Sequence, residues 1–202
     1  MSLLSPVIVG RMALSHIGVS ANLESLTAST PEAAQLNVWY DHSRQQTLEV
    51  FNWNFARRRM ILATHAEDPP EGQWAFRYQY PFGALKIREV WHPAINPHTT
   101  DAIPFEVELA TDDSKTLVTD LDEARVIWTK DITDLTLWTS LAILALSHAL
   151  SSHIATALTT HKDAAARQFN FFNAIINTAT SVDANEQIER QPRDADVIRA
   201  RE

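Results

Sequence analysis

The stretch Trp74-Ala75-Phe76-Arg77-Tyr78-Gln79-Tyr80 places four aromatic residues at every second position. Side chains of an extended strand alternate between its two faces, so this period puts all four rings on one side of a β-strand. Phe105-Glu106-Val107-Glu108-Leu109 alternates in the same way. Leu85, Ile87 and Trp91 suggest another strand, and Arg125-Val126-Ile127-Trp128 a further one. Asp112-Asp113-Ser114, built of residues whose side chains bond their own backbone, is the turn expected between two of them. Together these segments predict a small antiparallel β module over residues 56–131.

On either side of the module the period lengthens. Ser5-Pro6 and Thr30-Pro31 each pair a capping side chain with a proline suited to the first helical position. They predict a first helix from Ser5 to Ile17, ending at Gly18, and a second from Thr30 to Phe51. Ala34, Val38, Leu48 and Phe51 are the core positions expected on the second. Leu135, Trp138, Leu141, Ala142, Ala145 and Ala149 follow helical spacing in a third helix running to about Leu158. Thr159 to Lys162 breaks the pattern. A fourth helix then presents Phe169, Phe172, Ile175, Ile176 and Ala179 on one face.

Two short helical halves bury little alone, and packing them together is the physical solution. The expected fold is therefore α+β. It is a four-helix bundle (residues 1–55 and 132–180) with the antiparallel β module inserted between helices two and three. An extended C-terminal tail is expected over residues 181–202, where the chain turns polar.

The chain has 202 residues, with 25 acids against 17 bases and a net charge of −8. Residues 67–134 hold 14 of the acids and 6 of the bases, which leaves 11 of each elsewhere. The net charge thus belongs to the β module and its borders. It disfavours a general nucleic-acid binder, which needs Lys and Arg to displace counterions from phosphates. The absence of cysteine excludes disulfides, thiolate metal sites and Cys nucleophiles. With four scattered glycines there is no phosphate-cradling loop. Met1 to Pro6 lacks the basic and apolar regions of a signal peptide, and the longest apolar run, Leu141 to Leu146, is short for a membrane span. A soluble protein is expected.

Candidate chemistry is sparse. His148 and His153 stand five apart, about 140° around a helix, where paired zinc ligands favour a separation of four. Asp112-Asp113 and Asp122-Glu123 read as solvated turn acids. Arg57-Arg58-Arg59 follows Trp53 and Phe55, a combination that could stack bases and contact phosphates, but strand alternation would split the three arginines between two faces. Trp53 and Phe55 are expected in the core at the junction of bundle and module. No catalytic, cofactor or metal residues are assigned.

Several segments, taken in order, resemble a known family. They are Ala13-Leu14-Ser15-His16-Ile17-Gly18, Tyr40-Asp41-His42-Ser43-Arg44, and Leu48-Glu49-Val50-Phe51-Asn52-Trp53-Asn54-Phe55-Ala56. Tyr78-Gln79-Tyr80-Pro81 with Leu85-Lys86-Ile87, the helix to Leu158, Asp183-Ala184-Asn185-Glu186 and an arginine-bearing tail follow. The set is similar to the head-to-tail adaptor (tubular tail protein A) family of short-tailed bacteriophages. The resemblance implies a virion structural protein without catalysis or cofactor, assembled in the host cytoplasm. It implies a homo-oligomeric ring, typically a dodecamer, seated beneath the portal protein. The ring would extend the DNA channel without binding the DNA specifically, and it would meet the tail nozzle and tail fibres. No membrane is involved. The charge-mixed tail, through Asp183, Glu186, Arg190, Arg193, Val197, Ile198, Arg199 and Arg201, is the expected portal-docking segment. Two rival readings are a small hydrolase using acids of the β module and a nucleic-acid module centred on Arg57 to Arg59.

Overall fold

The computed structural model describes residues 4–20, 22–92, 94 and 102–184, with the backbone alone for Asp183 and Ala184. Among them are four α-helices: α1 Pro6–His16, α2 Pro31–Val50, α3 Ser140–Leu158 and α4 Ala164–Ala184. Six strands lie between α2 and α3: β1 Arg57–Ile61, β2 Phe76–Gln79, β3 Ala84–Trp91, β4 Glu106–Leu109, β5 Lys115–Thr119 and β6 Arg125–Lys130. The class is α+β. The described chain divides into a helical unit, up to Ala56 and again from Asp131, and a β unit from Arg57 to Lys130.

In the helical unit the boundaries follow capping chemistry. Ser5 Oγ accepts the Ile8 N–H at 3.4 Å and Thr30 Oγ1 accepts the Ala33 N–H at 3.2 Å, each ahead of a proline. α1 closes where Gly18 takes φ +74 and the Val19 N–H returns to the Leu14 carbonyl at 3.0 Å. The third helix begins later than the spacing suggests. Asp134 caps a separate 3-10 turn, Leu135–Leu137, and Thr139 then caps α3. Trp138 lies between them with extended backbone, yet Leu135 and Trp138 are both buried. Hydrophobic spacing marked the burial, and the two caps decided the helix.

α3 is packed upon by α1, α2 and α4. By length and composition it is apolar enough to cross a membrane, with a mean hydropathy of 1.5, so judging from the Leu141–Leu146 run alone understates it. Burial of Ala142, Leu146, Ala149, Leu150 and Ile154 makes it a core helix of this unit.

The face of α2 departs from expectation. Ala33, Leu36, Tyr40, Arg44, Thr47 and Leu48 are buried, whereas Ala34 is exposed and Val38 is 67% exposed. Val38 lies two residues from both Leu36 and Tyr40, about 200° from either around the axis. On α4, Phe172 and Ala179 are buried but Phe169 is exposed. α4 also runs to Ala184, beyond the Ser181 at which a tail was expected to start. Thr178, Thr180 and Ser181 return their hydroxyls to the carbonyls four residues earlier, so polar side chains continue the helix. The rest of the expected tail lies outside the described residues.

The β unit holds two three-stranded antiparallel sheets, ordered β1-β6-β3 and β2-β5-β4. Leu62, Tyr78, Ile87, Val90, Leu117, Val126 and Trp128 form its apolar cluster, with Phe76 and Tyr80 packed alongside. The aromatic alternation therefore does mark a strand, although Trp74 lies before its start. In β3 the register shifts between Ile87 and Glu89, which moves the buried side from the expected Trp91 to Val90. β4 is an edge strand, and its Val107 and Leu109 stay 45% and 60% exposed despite their alternation. The Asp112 turn forms as expected, with Asp113 at φ +63 and Asp112 Oδ1 accepting the Ser114 N–H at 3.0 Å.

Candidate functional site

Of the expected portal-docking residues, Asp183 lies in the last turn of α4. Glu186, Arg190, Arg193, Val197, Ile198, Arg199 and Arg201 lie outside the described residues.

Arg57, Arg58 and Arg59 lie on β1 opposite Thr129, Trp128 and Ile127 of β6. Arg57 and Arg58 are half-buried and Arg59 is exposed. Arg58 Nη1 donates to the Arg57 carbonyl at 2.8 Å. The run is thus divided by the strand and offers no single basic face. Trp53, in the helical unit, is 4% exposed and donates its indole N–H to the Thr47 carbonyl at 2.7 Å. Its ring meets Phe51 edge-on at 4.8 Å, and Phe55 packs 5.3 Å from Trp138. Trp53 is thereby committed to packing and is not free to stack on a base.

The turn acids are held by their own turns. Asp112 receives both the hydroxyl and the N–H of Ser114, which keeps its carboxyl below the usual range. Asp122 accepts the Glu123 N–H at 2.8 Å. Asp122 and Glu123 also border an open pocket of about 440 Å³ whose other walls include Ile61, Leu62, Tyr78 and Arg125. Leu62 and Tyr78 of the apolar core line it, and among the described residues neither acid hydrogen-bonds to a nucleophile or base across it.

Two buried arginines are the strongest electrostatic features, and neither was legible as such in the sequence. Arg77 of β2 reaches Glu67 through Nη1 and Glu108 of β4 through Nη2, the latter at 2.6 Å. Glu67 also accepts the Thr111 hydroxyl at 2.6 Å and the Thr111 N–H at 2.9 Å. Those bonds, ahead of the guanidinium, hold its carboxyl below the usual range. In the helical unit Arg44 of α2 reaches Asp131, Asp41 and the Ile132 carbonyl. Gln45 adds a hydrogen bond to Asp131 at 3.2 Å. The one available signal for Arg77 was its place between aromatics of a strand, on the opposite face from them.

The histidines of α3 do not face each other, as their spacing required. Each instead meets a histidine from another helix. His148 stacks on His16 of α1 with ring centroids 3.9 Å apart and planes 13° apart. His153 stacks on Trp39 of α2 at 4.7 Å and meets His42 of α2 edge-on at 5.3 Å. Among the described residues there is no group of three or more His, Cys, Asp or Glu placed to hold a metal ion.

Large apolar side chains stand in water on both units. Val38, Phe169, Phe171 and Val182 do so on the helices, and Ile61, Phe82 and Leu109 on the β unit. Phe82 is fully exposed at the tip of a turn closed by the Ala84 N–H on the Pro81 carbonyl. Set against protein-family models and against curated proteins, the chain matches none.

Proposed function

We propose that the protein is a virion structural component, a head-to-tail adaptor whose copies form a ring between the portal protein and the tail nozzle of a short-tailed phage. In this reading the helical unit is a four-helix bundle and the β unit is its inserted module. The observation that carries it is the apolar surface left on both units, above all Val38 at 67% and Phe171 at 50% exposure on the helices and Phe82 on the β unit. A contiguous exposed apolar patch marks a surface that other protein covers, and in this reading these side chains are parts of such patches. Heterologous contact between identical copies closes into a ring when the rotation permits. The segments that resemble the adaptor family support the same reading. Tyr40 to Arg44 lies on α2, Trp53 to Ala56 at the end of the helical unit's first half, and Tyr78 to Pro81 at β2.

The acidic balance of the middle of the chain suits a conduit that DNA must traverse without adhering, since like charge keeps phosphate away. Neither catalysis nor a cofactor is part of the proposal. Residues 183–202 dock on the portal, with Val197 and Ile198 as apolar anchors among Arg190, Arg193, Arg199 and Arg201.

Truncation tests this. A chain ending at Val182 is expected to keep the helical signal of the full chain in circular dichroism and to lose co-sedimentation with portal protein. Undiminished co-sedimentation by the truncated chain would overturn the docking role.

A further inference from the structure

We propose that the two histidine pairs of the helical unit are acid-released clasps, one holding α1 and the other α2 against α3, so that protonation loosens both helices from the core helix.

The two pairs share two parts. On one side His16 Nε2 shares a hydrogen bond with Ser147 Oγ at 3.0 Å, and His148 Nδ1 meets Gln168 Oε1 at 2.7 Å. Gln168 Nε2 donates to the His16 carbonyl at 2.8 Å, which orients the amide so that its oxygen accepts from His148. Gln168 is itself buried, so α1, α3 and α4 meet through one chain of hydrogen bonds. On the other side His153 Nε2 donates to Gln46 Oε1 at 3.0 Å while its ring lies flat on Trp39 and against the edge of His42. One glutamine amide and one facing histidine thus recur at each site.

Neutral rings satisfy this geometry and doubly charged pairs do not. Two imidazolium rings stacked at 3.9 Å repel, and the half-buried setting of His16 and His148 weakens screening. At the other pair His153 is half-buried and His42 exposed, with ring centroids 5.3 Å apart, so the repulsion there is weaker. The surroundings offer little compensating charge. α3 carries no acid or base besides its two histidines. On α1 the other charged residue is Arg11, bonded to the Leu23 carbonyl. On α4 they are Arg167, exposed, and Asp183. On α2 they are Glu32, Asp41, Arg44 and Glu49, of which Asp41 and Arg44 bond each other. Burial and then the charge of His148 lower the pKa of His16 from 6.5, and burial and then His42 do the same for His153. A histidine whose folded pKa is depressed binds its proton more readily in the unfolded chain. Its stabilising contribution is therefore full above about pH 6.5 and is lost as the pH falls below it.

Amide hydrogen exchange on the full chain, as protection factors at pH 7.5 and pH 5.0, tests the clasp directly. Division by the intrinsic exchange rate removes the ordinary effect of pH. Peptides from α1 and α2 are expected to lose at least about tenfold protection at pH 5.0. In the double variant His16→Phe with His153→Phe, the rings remain but the depressed histidine of each pair is gone, and the loss should shrink to within about twofold. Unchanged protection in the wild-type chain, or an equal loss in the double variant, would overturn the proposal. If the double variant does not fold, titration of the wild-type imidazole ring protons decides. At least two of the eight histidines with midpoints below 6.5 support the clasps, and fewer than two refute them.

Discussion

Among the described residues, the helical unit and the β unit each contain one arginine whose side chain is only 5% exposed, and they neutralise it differently. In the helical unit, Arg44 uses all three guanidinium nitrogens, on Asp131, Asp41 and the Ile132 carbonyl. In the β unit, Arg77 holds Glu67 and Glu108, but its Nε has no hydrogen-bond partner among the described residues. A buried charge is tolerated in proportion to the completeness of its pairing. The difference teaches what the acid-rich stretch is for. Glu67, Glu108 and Asp131 all belong to residues 67–134, so part of that acidity is spent inside the fold, on arginines, and the solvent sees less of it than the count suggests.

The comparison can be sharpened or broken by substitution, read as stability in denaturant titrations. The largest effect is expected at Trp53→Ala, about 4 kcal/mol, because a nearly fully buried indole leaves a cavity and gives up its hydrogen bond to the Thr47 carbonyl. A loss near zero would mean that the helical unit does not depend on this packing. Asp131→Ala should follow at about 3 kcal/mol, since it deprives a buried guanidinium of its main partner. A loss under about 1 kcal/mol there would break the contrast. Arg77→Met should cost less, about 1–2 kcal/mol, because its two carboxylates are about a third exposed and return to water. A cost equal to that of Asp131→Ala would show that the missing Nε partner does not matter. Smallest is Tyr78→Phe, about 1 kcal/mol, for the hydroxyl that donates to the Leu121 carbonyl at 2.8 Å.

What could be read in advance follows the range of the forces involved. Ser5-Pro6, Thr30-Pro31 and Asp112-Asp113-Ser114 act within three residues, and the structure forms the caps and the turn they encode. The aromatic period of β2 likewise survives, because alternation is a property of the strand itself. Failures begin where a distant partner decides. Val38 is apolar but falls outside the face that α2 presents to its neighbours, and Val107 alternates correctly on a strand that, among the described residues, is at the edge of its sheet. The histidine pairs join residues as far apart as His16 and His148, and Arg77 joins Glu67 to Glu108. No local spacing encodes such meetings. The expected docking residues from Glu186 onward stand apart from this lesson, since they lie outside the described residues.

Native mass measurement of the full chain, alone and after mixing with a short-tailed phage portal protein, bears most directly on the proposal that this is an adaptor. An annular oligomer, formed either by the chain alone or on addition of portal, is the expected result. A compact monomer of 22.7 kDa that ignores portal protein would contradict it.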